Sequence, residues 1–200
     1  MDITVSGDIE QEFLALVRDI LEDTEFQKLS LYRQHRKTTR LMHSINVSYI
    51  SWLIARKLGW DATAAARAGL LHDFFLYAYG EDTPSGKLMA FDHPRTAAKN
   101  STEHFDISEK ERKAILSHMF PLGPVPTSRE AWLLTFTDKV YAINKVNDEI
   151  YFRVCDGSLK LKISFIKKIT TFYIYILWVA ERPKRTVCTR QSLFFFICLI

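Results

Sequence analysis

Four histidines and two aspartates fall where a helical fold would turn them toward one core. His43 heads the apolar stripe His43, Val47, Ile50, Ile54 and Leu58, whose steps of 4, 3, 4 and 4 are helical. His72 and Asp73 close the small-residue run Ala64-Ala65-Ala66-Arg67-Ala68-Gly69-Leu70-Leu71, which lets a second helix approach closely. His93 lies at the start of a predicted helix. His118 shares an apolar face with Ala114 and Ile115, and Asp138 sits on the line Leu134, Asp138, Tyr141. A carboxylate on such a stripe is costly to bury unless it meets a cation or hydrogen-bond donors. Facing helices of a bundle can bring such side chains to one point. Neutral imidazole with carboxylate suits Mn, Fe, Zn, Co or Ni. One carboxylate can bridge two cations, and six ligands suffice for two metals with positions left for water. Blander readings compete: a core histidine is more often hydrogen-bonded structure, and a buried aspartate can simply pair with Arg or Lys. His104 lies among the polar residues 100–105 and reads as a surface histidine. His35, in the basic run Arg33-Gln34-His35-Arg36-Lys37, reads as part of a solvated face, with the lining of a substrate mouth as the competing reading.

The elements that must position these residues read as helix after helix. Residues 8–28 carry Phe13, Leu14, Leu16, Val17, Ile20 and Leu21 at helical spacing. Gly59 is a natural stop for the His43 helix. Asp61 can cap the next, from Ala62 to about Phe75. Residues 80–91 form a polar loop. Asp92 can cap a helix with Pro94 in its first turn. Ser108 with Glu111 is a capping-box pattern for a helix to about Met119, and Thr127 with Glu130 is a second, for a helix to about Val146. Between them Phe120–Thr127, with three prolines, forms a stiff loop. No stretch alternates convincingly like a strand, so the body is all-α. The expected organisation is an N-terminal helix over 1–30, a metal-binding helical bundle over 31–146, and an atypical extension over 147–200.

Composition agrees with this and excludes much else. The 200 residues are 48% hydrophobic and 25% charged, the range of a globular domain and not of a disordered or fibrous chain. Three cysteines, Cys155, Cys188 and Cys198, with no CxxC pair, rule out a disulfide scaffold and argue against a zinc ribbon. A reducing compartment is the simplest reading. The N-terminus lacks the basic start and apolar run of a signal peptide, so the expected location is cytoplasmic. The net charge of +4 is asymmetric: residues 151–200 hold nine Lys/Arg and two Asp/Glu, and the rest carries a net −3. A nucleic-acid reading from overall charge is therefore not warranted. The basic, aromatic tail has no uncharged run longer than Ile169–Ala180, 12 residues, too short to span a bilayer. It reads as a β-prone, poorly ordered extension, such as a disrupted reading frame would give. A membrane-surface anchor and a packed β-appendage are the alternatives.

The order His43, His72-Asp73, Asp138, at intervals of 29 and 65 residues, resembles the signature of the HD-domain superfamily of metal-dependent phosphohydrolases. The segments Ala66–Asp73 and Arg40–Val47 are similar to that family's motifs. Phe74–Tyr77 and Pro121–Pro126 are similar to a bacterial subgroup of it. The resemblance covers about residues 30–146 and implies an HD-domain helical bundle in which His43, His72, Asp73 and Asp138 bind one metal. His93 and His118 match two further histidines of the binuclear branch, which implies a second metal and Asp73 as the bridging ligand. The implied ions are divalent: Mn, Fe, Zn, Co, Ni or Mg. The implied chemistry is hydrolysis of a phosphate mono- or diester of a small, nucleotide-like molecule by metal-activated hydroxide, with no specific nucleic acid. Asp73, Lys139 and Arg40 are the expected catalytic residues, the last two as phosphate contacts. Arg40 reads equally well as a plain surface charge. The family's GYP motif is absent, so cyclic-di-GMP hydrolysis is not carried over. Two alternatives stand beside hydrolysis: an HD-type di-iron oxygenase, and a non-catalytic metal-stabilised module binding a nucleotide or partner. Weak membrane-surface contact through the tail is a further expectation.

Overall fold

Helix α1 (Gly7–Leu21) turns Phe13, Val17 and Ile20 inward, four and three residues apart. The helix expected over 8–28 is broken after Leu21. Asp23 starts the short α2 (Thr24–Gln27) by accepting from the Phe26 amide at 2.8 Å, and a 3-10 turn, Lys28–Leu31, follows. The computed structural model describes residues 3–4, 7–35, 38–143 and 160–161, with side chains over 9–34 and 38–142. Two small antiparallel ladders lie among the described residues. One pairs β2 (Arg33–His35) with β3 (Thr38–Thr39), and the other pairs β1 (Ile3–Thr4) with β4 (Lys160–Leu161). The rest of the described architecture is helical, as expected. The described residues fall within the unit Met1–Ile163. Most of the extension over 147–200, the end of the last expected helix and the His35 side chain lie outside the described residues.

Helix α3 (Arg40–Leu58) is the axis of the bundle. Thr39 caps it by accepting from the Met42 amide, and Gly59, at φ 66°, ends it in the left-handed conformation that glycine adopts without strain. It is buried on several faces, including polar ones: His43, Asn46, Ser48, Tyr49, Ser51 and Trp52 are all covered. It packs against α4 (Ala62–Leu71) on one side and α7 (Arg129–Ile143) on another. The α3–α4 contact is close enough that a Cβ on Gly69 would stand 2.7 Å from the Ser48 Cα. Ser48 Oγ donates to the Ala66 carbonyl at 2.6 Å, which satisfies a hydroxyl that would otherwise be costly there. Around this pair Phe26, Leu29, Val47, Leu70, Leu71, Phe74, Ile115 and Leu134 form the core. Each such side chain contributes about 1.5–3 kcal/mol when fully buried.

Two element starts differ from the sequence expectation in the donor that a carboxylate takes. Helix α5 (Met89–His104) begins before Asp92, whose buried carboxylate instead accepts from Tyr77 Oη at 2.6 Å, Thr96 Oγ1 at 2.9 Å, and the Ser85 hydroxyl and amide. Asp92 thus ties the 76–88 loop to α5. Helix α6 (Glu109–Ser117) has the expected capping box. Helix α7 does not: Ser128 Oγ accepts from the Ala131 amide at 3.1 Å, while Glu130 accepts from the Asp61 amide, also at 3.1 Å, at the start of α4. No helix among the described residues is long and apolar enough to cross a membrane.

Candidate metal centre

Five elements deliver the six singled-out residues to one place. His43 projects from the first turn of α3. Helix α4 stops at Leu71, earlier than expected, so that His72 is its C-cap and Asp73 lies beyond it. His93 is in the second turn of α5, His118 is the C-cap of α6, and Asp138 comes from α7. His43, His72, Asp73 and His118 are almost wholly buried, and His93 nearly so.

Three of the imidazoles are oriented by their own chain. His72 Nδ1 donates to the Gly69 carbonyl at 2.8 Å, His93 Nδ1 to Met89 at 2.7 Å, and His118 Nδ1 to Ile115 at 2.7 Å. A carbonyl only accepts, so each Nδ1 carries the proton, and in the neutral ring each Nε2 presents a lone pair. Those Nε2 atoms converge. His43 and His72 approach to 3.3 Å and His93 and His118 to 2.9 Å. Two nitrogens each about 2.0–2.1 Å from one cation stand about 2.9–3.4 Å apart for angles between 90° and tetrahedral. The donor set therefore fits a cation at each pair.

Asp73 lies between the pairs. Its Oδ2 is 3.8 Å from His43 Nε2 and 3.5 Å from His72 Nε2, and its Oδ1 is 3.6 Å from His93 Nε2 and 3.7 Å from His118 Nε2. Two groups with metal-ligand spacing result, His43/His72/Asp73 and Asp73/His93/His118, with Asp73 common to both. Asp138 Oδ1 joins the first, 3.0 Å from His43 Nε2 and 3.6 Å from His72 Nε2. Electrostatics separates the two sides. Burial opposes ionisation of Asp73, but His72, His93, His43 and His118 outweigh it and hold the carboxyl at about 2. Burial also opposes charge on His72, yet Asp73 and Asp138 raise it to about 9. Burial, with His93 and His72 beside it, lowers His118 to about 3 and keeps it neutral. Asp138 is held well below the usual carboxylate range: burial works against this, and the hydrogen bonds of His43 and His72 prevail.

The two expected phosphate contacts have different surroundings. Lys139 is partly buried and donates to the His118 carbonyl at 2.9 Å. Burial lowers its pKa, and Asp138 opposes the shift. Arg40 is fully buried, which matches neither a surface charge nor a side chain free to reach substrate. Its guanidinium donates to the carbonyls of Phe75 and Tyr77 and to Gln34 Oε1. His104 is exposed, as expected, with its ring edge against Phe74. Sequence reasoning missed Gln34, whose amide reaches Asp73, and the Asn46–Tyr141 hydrogen bond of 2.6 Å beside the His43 ring. No local pattern marks either.

Residues 40–143 match the family profile described as HD domain. The chain belongs to that family. Among curated proteins it is similar to Ribonuclease Y of Clostridium tetani, 55% identical over 42 residues, which cover 21% of this chain and 8% of that protein. It is also similar to Ribonuclease Y of Aquifex aeolicus, 36% identical over 84 aligned positions, which cover 34% of this chain and 15% of the relative. The chain thus spans a small fraction of the length of these relatives.

Proposed function

We propose that this chain is a metal-dependent phosphohydrolase acting on a phosphate ester with two divalent cations. The observation that carries the reading is the pair of buried imidazole groups sharing Asp73. His43, His72 and Asp138 would hold one cation, His93 and His118 the other, and Asp73 both. When bound, such a pair supplies a water of lowered pKa and Lewis-acid sites for phosphoryl oxygens. The chain's own residues do the rest. Asp73 stays ionised and orients both groups. His118 donates its Nδ1 proton to the Ile115 carbonyl, which leaves Nε2 for a cation. Lys139 has N–H groups beyond the one given to His118 and can donate to a phosphoryl oxygen as negative charge grows there. Burial of the ligands keeps bulk water from competing with these contacts.

The likeness to proteins named Ribonuclease Y favours a phosphodiester and adds ribonucleic acid to the nucleotide-like substrates expected from sequence. The cytoplasm remains the proposed location. The test uses the full chain: metal content by elemental analysis, then turnover of nucleotide monoesters, a chromogenic phosphodiester and short RNA. About two metals per chain and phosphate-ester cleavage, both lost in Asp73→Ala with the helical circular-dichroism signal retained, is the expected result. Unchanged turnover in Asp73→Ala would overturn the reading. Bound iron with substrate-dependent oxygen uptake and no phosphate release would replace it with the oxygenase alternative.

A further inference from the structure

Besides the ligands themselves, a neutral side chain reaches into the cluster. Gln34 Nε2 donates to Asp73 Oδ2 at 2.5 Å. Its Oε1 accepts from Arg40 Nε at 3.1 Å. A guanidinium can only donate, so the amide is fixed with its oxygen toward Arg40 and its NH2 toward Asp73. Arg40 is itself held on several sides. Its Nη1 donates to the Phe75 carbonyl at 2.6 Å, both Nη atoms lie 3.2 Å from the Tyr77 carbonyl, and its guanidinium carbon is 3.5 Å from the Phe75 ring centre. Its amide donates to the Tyr32 carbonyl at 2.8 Å. The β2–β3 hairpin, the start of α3 and the segment after Asp73 are knitted together at this point.

Each carboxylate oxygen offers two lone-pair directions. Oδ1 of Asp73 faces His93 and His118, while Oδ2 faces His43 and His72 and also takes the Gln34 proton. Metal ligands depend on such outer contacts for orientation and basicity. His72, His93 and His118 take theirs from main-chain carbonyls within four residues. Asp73 takes its contact from a side chain 39 residues away. We propose that Gln34, oriented by Arg40, is the positioning residue of the shared carboxylate and sets the affinity of the His43/His72/Asp73 group for its cation. This rests on the two-cation reading above. It also gives Arg40 a task different from phosphate binding: it acts on Asp73 through Gln34.

The test is a cobalt(II) titration of the 200-residue chain and of its Gln34→Met variant, which keeps length and bulk but cannot donate. The competitor is a chromogenic chelator, and the visible cobalt spectrum is recorded at each step. One cobalt equivalent should bind about 10–100-fold more weakly in the variant, with a shifted spectrum. The other equivalent and the melting temperature of the metal-free protein should stay close to wild type. Affinities within about threefold and superposable spectra would overturn the proposal while leaving the metal site standing. So would an affinity loss that merely tracks a loss of metal-free stability. A wild type that takes up no cobalt would overturn both the proposal and the two-cation reading. Should Gln34→Met not fold, Gln34→Ala, which leaves room for a water to donate in place of the amide, carries the same comparison with a smaller expected loss.

Discussion

Gly69→Ala should damage the site through the backbone. The added Cβ would stand 2.7 Å from Ser48 Cα and 3.2 Å from Ser48 N, where ordinary contact begins at 3.4 Å. Helices α3 and α4 must therefore part locally by about 0.7 Å, since main-chain atoms cannot swing aside as a side-chain tip can. Overpacking of this kind costs about 1–3 kcal/mol. Alanine recovers about 1 kcal/mol of helix propensity. The net loss is about 1–2 kcal/mol, because backbone contacts put the first figure in its upper part, and it lowers the melting temperature by about 2–8 °C. The larger effect falls on the metals. The Gly69 carbonyl accepts the His72 Nδ1 proton, so the same displacement turns His72 and carries Asp73 with it. Constellations of this type tolerate errors of about 0.5 Å, so cobalt affinity should fall about tenfold or more. Gly59→Ala is the control: at φ 66° it strains the backbone by about 1–2 kcal/mol but has nothing within 4 Å of its Cβ. It should cost comparable stability and leave cobalt affinity alone. Thermal unfolding with chelator present and a cobalt titration read the two effects separately. The reasoning fails if Gly69→Ala matches wild type in both, or if Gly59→Ala loses cobalt as Gly69→Ala does.

Three other substitutions test separate links. Asp61→Ala removes the α4 cap, which accepts from the Ala64 amide at 3.0 Å and from Lys110 at 2.7 Å, and should cost about 0.5–2 kcal/mol. The Lys110 and Ala64 hydrogen bonds hold the Asp61 carboxyl below its ordinary value of 3.8. Its stabilisation is therefore present above that value and is lost as pH falls through the lowered one, so the wild-type advantage in urea midpoint should shrink as pH falls below about 4; a constant gap would contradict this. Lys139→Met should keep cobalt binding within a few-fold and lower kcat/KM for a phosphodiester by about 10²–10³, and wild-type kcat/KM would remove Lys139 from the mechanism. Tyr77→Phe deprives Asp92 of the donor at 2.6 Å and should weaken the tether of the 76–88 loop by about 1.5–3 kcal/mol, read as faster amide exchange there and not in α3.

What could be read in advance, and what could not, divides by distance along the chain. His43 and Asp138 were legible because each sits on an apolar stripe of helical period. The Ser108–Glu111 box was legible because both hydrogen bonds close within four residues. Thr127 with Glu130 has the same local form, yet Glu130 spends its carboxylate on the Asp61 amide, 69 residues away, and Ser128 takes the cap. Asp92 has the same history: a good capping residue by type, engaged by Thr96 of its own helix and drawn off by Tyr77 and Ser85 once the loop folds back. Arg40 looked like a free cation one turn before a ligand, and the carbonyls that clamp it, 35 and 37 residues on, carry no signature in side-chain type. The same division runs through the metal centre. Three histidines take their orienting carbonyls from three or four residues earlier, so their aim is a property of their own helix ends. The shared carboxylate is aimed by Gln34 across 39 residues. The imidazoles should therefore hold their geometry under many changes elsewhere in the fold. Substitutions in the β2–β3 hairpin or at Arg40 should instead reach the His43/His72/Asp73 group through Asp73.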